Sequence, residues 1–222
     1  MEEIKKQFKN KDLYDLALTH RSWVNENKKV RRSNERLEFL GDAVLEYVVS
    51  SFLYKELADK EEGFLTALRA NIVNTKNLSE FADSMKMGEE LYLSKGEEAS
   101  GGRTNPSLLA DTVESIIGAI YIDRGLKAAE EFIHKNLLTD LDKKLAEPLK
   151  DPKSRFQEGV QAKGYPTPKY RVVNEEGPDH AKEFTVEVTV DKKVIAQGKG
   201  NSKSAAEQDA AERALDEIDQ EL

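Results

Sequence analysis

Apolar residues in the first 150 positions recur at spacings of three and four, which is typical of amphipathic helices. The spacing occurs in Leu13-Leu16-Ala17-His20, in Leu37-Leu40-Val44-Val48 and in Ile116-Ile120. Asn105-Pro106-Ser107 is typical of a turn that leads into a helix. No run in this part alternates apolar and polar residues as a half-buried strand does. The pattern predicts an all-α domain over residues 1–147.

The pattern changes after residue 150. Two prolines interrupt the helical run near Pro148, and Asp151-Pro152 combines a good N-cap with proline at the first helical position. The elements predicted from there are a helix over 152–163, strands over 168–173, 184–190 and 194–200, and an alanine-rich helix over 202–215. The chain is therefore predicted to be multidomain, with a small α-β-β-β-α (α+β) domain over residues 151–219.

The amino-acid composition limits the kinds of catalytic and metal-binding site that the chain can form. The 222 residues include no cysteine, which excludes disulfides, thiolate catalysis and Cys-ligated metal sites. Three histidines make a His-rich metal site improbable, whereas 42 Asp and Glu residues supply the ligands that hard cations such as Mg²⁺ prefer. No apolar run approaches the ~18 residues of a membrane span, and the acidic start lacks a secretory signal. We expect a soluble, cytoplasmic protein.

The net charge of −8 argues mildly against an unselective nucleic-acid binder, which usually carries a basic domain. Any anionic partner must therefore meet local clusters of basic residues rather than a uniformly positive surface.

One predicted helix carries an acidic stripe. At about 100° per residue, four acids share an arc of roughly 80°: Glu35, Glu38, Asp42 and Glu46. The simplest interpretation is a solvated face. Phe39 and Leu45 flank the arc, however, and Gly41 interrupts the helix at a cost of about 1 kcal/mol. A half-buried acidic stripe is expected, which is costly unless a cation binds it.

A second predicted helix, from Leu108 to Tyr121, is nearly apolar, yet it carries Asp111 and Glu114 on one face. Buried like charges need compensation. One possibility is a pair of salt bridges to Arg36, Arg69 or Arg103; the better explanation is a Mg²⁺ site shared with the acidic helix. Such a site suits phosphodiester hydrolysis, because a bound cation polarises phosphoryl oxygens and activates water.

The segment Asn34-Glu35-Arg36-Leu37-Glu38-Phe39-Leu40-Gly41-Asp42-Ala43 resembles the signature of bacterial ribonuclease III, an endonuclease that cuts double-stranded RNA. The similarity extends to Leu16–Ser22 before it and to Gly101–Asp123 after it. The α-β-β-β-α tail resembles the double-stranded-RNA-binding domain of the same family. The resemblance covers essentially the whole chain in the right domain order.

The resemblance implies roles for the acids. The metal ligands fall on Glu38, Asp111 and Glu114, and Asp42 is the other essential acid, so that Asp42 and Glu114 are the expected catalytic residues. Glu35 and Glu62 correspond to supporting acids of the cleft.

The resemblance further implies a Mg²⁺ cofactor, for which Mn²⁺ can substitute, and a homodimer that cuts each RNA strand once. The products would carry 5′-phosphate and 3′-hydroxyl ends with short 3′ overhangs. The biological role would be the processing of rRNA and mRNA. Phe39 would lie in the dimer contact; the alternative is that it packs within its own subunit.

A protein domain that binds A-form RNA contacts 2′-hydroxyls in the minor groove and phosphates across the major groove. The resemblance assigns Gln157, Glu158 and His180 to the minor grooves, and Asn201, Ser202 and Lys203 to phosphates. This chain departs from the family's usual lysine cluster: its last helix opens with one lysine, although Lys199 lies nearby, and Asp209 adds an acid. Fewer phosphate contacts predict weaker binding with a shallower salt dependence.

Two other functions compete with this hypothesis. A silent nuclease fold could serve as a non-catalytic RNA-binding protein, but every expected acid is present. A carboxylate-metal phosphohydrolase could act on small phosphates, but it would have no use for a duplex-RNA module.

Overall fold

A computed structural model describes residues 1–139, 141, 145, 151–178 and 182–221. The chain divides into two compact units, Met1–Glu147 and Pro148–Leu222. The predicted boundary residues around Pro148 lie outside the described residues. No helix in the described ranges is long and apolar enough to cross a membrane.

The first unit is helical, as the apolar spacing predicted. Its elements are α1 (Glu2–Gln7), α2 (Lys11–Ala17), α3 (Arg21–Glu26), α4 (Glu35–Glu56), α5 (Glu62–Ile72), α6 (Thr75–Ser84), α7 (Met87–Glu90), α8 (Lys95–Ala99), a 3-10 turn (Gly102–Thr104), α9 (Pro106–Arg124) and α10 (Leu126–Leu137). The one extended pairing among the described residues of this unit is an isolated bridge between Thr19 and Tyr92.

Helix α9 is the centre of the first unit, since it packs against α2, α4, α6 and α10. Its start follows from the sequence: the Asn105 side chain accepts from the backbone N–H of Ser107, and Pro106 occupies the first turn. Most of its residues from Leu109 to Ile120 are buried. This position explains why the helix is apolar nearly all round.

The second unit has the predicted α-β-β-β-α order. Its elements are α11 (Pro152–Ala162), β1 (Lys169–Glu176), β2 (Glu183–Val190), β3 (Lys193–Gly200) and α12 (Lys203–Glu221). The strands form an antiparallel sheet in the order β1-β2-β3. The Asp151 side chain accepts from the backbone N–H of Ser154 and caps α11. Asp191 and Lys192, both with positive φ, form the turn between β2 and β3.

Two elements of this unit are longer than predicted. Strand β1 continues to Glu176 because that residue pairs with Glu183 of β2. Helix α12 runs to Glu221 rather than to Leu215. The apolar pattern stops at Leu215, but no glycine or proline follows to end the helix.

The core of the second unit joins the helices to one face of the sheet. Its buried residues are Phe156, Val160, Val186, Val188, Val190, Ile195, Ala206, Ala210, Ala211 and Ala214. The alanine-rich face of α12 lets that helix lie close to the sheet, which explains its composition.

Candidate functional site

Three carboxylates from two helices converge in the first unit. Glu38 is on α4, and Asp111 and Glu114 are on α9; one carboxylate oxygen from each lies within 4.8 Å of the others. All three side chains are partly buried. The structure thus brings together the acids that the sequence placed on two separate helices.

The convergence depends on a close approach of the two helix backbones. A Cβ atom at position 41 would lie 1.7 Å from the backbone carbonyl oxygen of Glu114. A Cβ atom at position 118 would lie 2.2 Å from the carbonyl oxygen of Leu37. Gly41 costs helix stability on its own, but it allows α4 and α9 to meet where their acids face each other.

Among the described residues, no lysine or arginine compensates the charge of the cluster by forming an ion pair with Glu38, Asp111 or Glu114. Of the arginines considered from the sequence, Arg69 pairs with Glu46 at 3.2 Å and Arg103 pairs with Glu98 at 2.7 Å. The salt-bridge explanation is therefore wrong for the described parts of the chain.

The pKa values of the three acids show that ionising them together in a partly buried cluster is unfavourable. Burial, with the charges of Asp42, Asp111 and Glu38, raises the pKa of Glu114 to about 8. Burial also raises the pKa of Glu38 and of Asp111. Desolvated hard oxygen donors with excess negative charge fit a divalent cation such as Mg²⁺ or Mn²⁺, which would supply the missing positive charge.

A cavity of about 240 Å³ opens beside the cluster and is lined by Glu35, Glu38, Asp111 and His20, among others. The ring Nδ1 of His20 accepts from the backbone N–H of Ser22 at 3.3 Å. In the neutral ring, the proton therefore lies on Nε2. Sequence reasoning gave His20 no role, because one histidine on a helical pattern carries no signal of its own.

The other predicted acids are placed differently. Asp42 is exposed, and its charge raises the pKa of both Glu114 and Glu38, which puts it at the edge of the cluster. Glu35 accepts from the Ser33 hydroxyl at 2.7 Å. Glu62 accepts from the Thr66 hydroxyl at 3.0 Å and lines a separate cavity, so within one chain it does not join the cluster.

Phe39 is 80% exposed, so it does not pack within its own subunit as one interpretation allowed. The expectation of a half-buried stripe holds for Glu38 and Glu46, which are partly buried, but not for Glu35 and Asp42, which are exposed. The cavity that contains Glu62 measures about 660 Å³ and has apolar walls that include Tyr47, Tyr54 and Leu65.

In the second unit, Gln157 and Glu158 are exposed on α11, and Asn201 is exposed before α12. Ser202 caps α12, because its hydroxyl oxygen accepts from the backbone N–H of Ala205 at 3.1 Å. His180 lies outside the described residues.

The lysines at this end already have acidic partners. Lys203 Nζ lies 3.6 Å from a carboxylate oxygen of Glu175. Lys199 Nζ lies 3.2 Å from Glu183, and its backbone N–H donates to Asp209 at 2.7 Å. These ion pairs were not predicted, because they join residues from different secondary-structure elements.

Comparison with known protein families agrees with both units. Residues 10–141 match the family model described as Ribonuclease-III-like, and residues 152–218 match the Double-stranded RNA binding motif. The chain belongs to the ribonuclease III family. It is an endoribonuclease of that family, whose members are metal-dependent, and its three converging carboxylates could hold a metal ion.

Ribonuclease III relatives match over nearly the whole chain. "Ribonuclease 3" of Geobacillus kaustophilus is 44% identical over 95% of this chain and 86% of its own length. "Ribonuclease 3" of Enterococcus faecalis is 45% identical over 96% of this chain and 93% of its own. A crystal structure of the nuclease domain of ribonuclease III from Campylobacter jejuni is 38% identical, with a TM-score of 0.57, over 67% of this chain and 97% of that one.

A second Campylobacter jejuni structure of the ribonuclease III nuclease domain is 41% identical, with a TM-score of 0.55. It covers 62% of this chain and 98% of its own. That structure concerns flexibility in the region of the Campylobacter jejuni domain that is involved in dimer formation.

Proposed function

We propose that the protein is a Mg²⁺-dependent, homodimeric endoribonuclease that hydrolyses phosphodiester bonds in double-stranded RNA. Mn²⁺ can replace Mg²⁺, and the products carry 5′-phosphate and 3′-hydroxyl ends with short 3′ overhangs. The enzyme processes rRNA and mRNA in the cytoplasm. Residues 1–147 form the nuclease domain and residues 151–219 the RNA-binding domain. The observation that carries the proposal is the carboxylate cluster in a chain that also has a double-stranded RNA binding motif.

Glu38, Asp111 and Glu114 would hold the metal. Bound there, Mg²⁺ would supply positive charge for the phosphoryl oxygens and favour ionisation of water. Asp42, exposed at the edge of the cluster, would orient the attacking water and accept its proton. Glu114 contributes a carboxylate that needs the cation to stay ionised at neutral pH, because burial and its acidic neighbours raise its pKa. Glu35 supports the cavity beside the ligands.

Cutting both strands of a duplex requires two active sites in fixed relation. A two-fold dimer supplies them, since each surface feature is then presented twice. Phe39 is an exposed aromatic side chain, and the cavity near Tyr47 and Tyr54 is large and apolar. In the proposed dimer, the Phe39 ring of each subunit is buried by the other. Burying such a ring contributes about 1.5–3 kcal/mol per subunit.

The second unit would hold the duplex by its shape rather than its sequence. Gln157 and Glu158, and His180 by family resemblance, would contact successive minor grooves. Asn201, Ser202 and Lys203 would contact phosphates at the start of α12, where the helix dipole favours an anion.

The test is cleavage of a long RNA duplex in Mg²⁺ by the wild type and by Glu114→Gln. The variant keeps the size of the side chain but loses a charged ligand, so we expect duplex binding without cleavage. Glu131→Gln, which removes an exposed acid from α10, is the matched control and should cleave normally. Equal cleavage by wild type and Glu114→Gln would refute the metal site; no cleavage by the wild type, with binding intact, would favour a non-catalytic RNA-binding protein.

A further inference from the structure

The loop between α3 and α4 concentrates positive charge in an acidic protein. Residues 28–36 contain five basic side chains and one acid, in a chain whose net charge is −8. The basic residues are Lys28, Lys29, Arg31, Arg32 and Arg36. Such a local reversal of charge attracts anions that the rest of the surface repels.

Four of these cations are free to meet a partner. Lys28, Lys29 and Arg32 in the loop, and Arg36 in the first turn of α4, are exposed, and none of them forms an ion pair with any residue that the structure describes. The lysines of the second unit differ, because Lys199 and Lys203 each have a carboxylate partner.

The remaining cation, Arg31, anchors the loop. Its guanidinium donates to the Asp15 carboxylate at 3.2 Å and to the Thr19 hydroxyl at 3.1 Å. It also lies 4.7 Å from the ring centroid of Tyr92 and 5.6 Å from that of Trp23. A cation–π contact on two rings, with an ion pair, holds the loop backbone in place. The exposed cations on either side of Arg31 therefore need little further ordering to bind a ligand.

The loop leads directly into the acidic cavity. The backbone N–H of Asn34 donates to the carbonyl oxygen of Thr19 at 2.9 Å. Asn34 and Glu35 line the same cavity as Glu38 and Asp111. RNA is a polyanion, and the carboxylates alone would repel it. A basic surface next to them offsets that repulsion and directs the backbone of the duplex to the site.

We propose that the basic loop, residues 28–32, is a phosphate-binding surface for double-stranded RNA on the nuclease domain. Lys28, Lys29 and Arg32 contact backbone phosphates beside the bond to be cut, independently of base sequence. Arg31 is a positioning residue that fixes the loop. This inference rests on the proposed function, and it adds a contact that the RNA-binding domain does not supply.

The test uses the full chain carrying Glu114→Gln, so that the RNA stays intact, and a duplex of about 30 base pairs, longer than one RNA-binding domain spans. The loop variant is Lys28→Gln, Lys29→Gln and Arg32→Gln together. Its control is Lys6→Gln, Lys11→Gln and Lys127→Gln, which removes the same charge from exposed residues elsewhere in the first unit. Binding is titrated between about 50 and 200 mM salt.

We expect the loop variant to bind at least about tenfold more weakly at the lowest salt. Its log–log salt slope should fall by about 0.9 for each lost phosphate contact, and thus by about 2–3. The control should change the affinity and the salt slope by only a small fraction of the changes expected for the loop variant. Equal affinity and slope for the loop variant and its parent would overturn the proposal, as would equal weakening by the control.

Cleavage in a chain with Glu114 restored separates this inference from the proposed function. If the loop only binds RNA, the loop variant should show a raised KM with kcat nearly unchanged. If the wild type does not cleave but the loop variant still binds more weakly, the nuclease proposal fails and the loop proposal stands. If the wild type cleaves and the loop variant matches it in KM and in binding, the nuclease proposal stands and the loop proposal fails.

Discussion

Gly41 and Gly118 meet backbone to backbone where α4 crosses α9. A Cβ atom at position 41 would lie 2.9 Å from the backbone nitrogen of Gly118, and one at position 118 would lie 3.1 Å from the nitrogen of Gly41. Because both contacts are to backbone, no side-chain rotation can relieve them. The separation of the two helices, and with it the spacing of Glu38 from Asp111 and Glu114, depends on the absence of side chains at these two positions.

We expect Gly41→Ala to force the two helices apart and to lower stability by at least about 2 kcal/mol, in spite of the better helix propensity of alanine. Thermal unfolding and Mg²⁺ binding by calorimetry would measure the loss of stability and of metal affinity. Gly63→Ala is the matched control, since a Cβ atom there meets nothing within 4 Å. If Gly41→Ala binds Mg²⁺ as tightly as the control does, the close approach is not needed for the site.

The exposed ring of Phe39 should control the oligomeric state. Phe39→Ala is expected to weaken the dimer by about tenfold or more, because a buried aromatic ring is lost from each half of the interface. Sedimentation over a range of concentrations would give the dissociation constant. Ile122→Ala removes a side chain that is 52% exposed at the end of α9 and should leave the dimer intact. Unchanged dimerisation of Phe39→Ala would remove Phe39 from the interface.

The pKa of Glu114 predicts a pH-dependent stability in metal-free protein. Its folded pKa of about 8 lies above the ordinary value of 4.5, so the folded state keeps a proton that the unfolded state releases between these values. The stability that this proton supports is present below about pH 4.5 and is lost as the pH rises through about 8. Glu114→Gln is neutral throughout and lacks this dependence.

At about pH 8.5 without metal, we therefore expect Glu114→Gln to unfold at a higher temperature than the wild type, by a few degrees. The difference is on the order of 1 kcal/mol once partial solvent screening is allowed for. At about pH 5, the two should unfold together. Adding Mg²⁺ should reverse the order at high pH, because the ion binds the ionised wild-type cluster. If the wild type is more stable than Glu114→Gln in EDTA at high pH, the raised pKa of Glu114 is contradicted.

The ion pairs of Lys199 and Lys203 should limit RNA binding by the second unit. Glu175→Gln with Glu183→Gln breaks the ion pairs of both lysines and also that of Lys182 with Glu175, and we expect duplex affinity to rise by roughly fivefold at low salt, with a steeper salt slope. The measurement uses the full chain with Glu114→Gln. Glu212→Gln, combined with Glu217→Gln, removes the same charge from exposed residues of α12. An equal gain in this control would mean that net charge, not the loss of these ion pairs, governs binding.

Much of the fold followed from local pattern. The spacing of apolar residues located α4 and α9, and the caps at Asn105 and Asp151 marked where two helices begin. The alternation in β2 identified a strand with one buried face. The end of α12 was missed, because the polar residues after Leu215 continue a helix without continuing an apolar pattern.

Some features of the site were likewise set by local sequence, and others only by the tertiary structure. The sequence by itself determined that Asp111 and Glu114 share a helical face, that Glu38 and Asp42 share another, that cysteine chemistry is not available, and that three histidines disfavour a His-rich metal site. Only the tertiary structure decided that the two faces meet, that Phe39 stays exposed, that Glu62 lies apart in a single chain, and that the lysines near α12 are paired with acids. The reason is physical: the period of a helix or strand is set by residues a few positions apart, whereas contacts between elements are set by packing among residues distant in sequence, here by two glycines 77 positions apart.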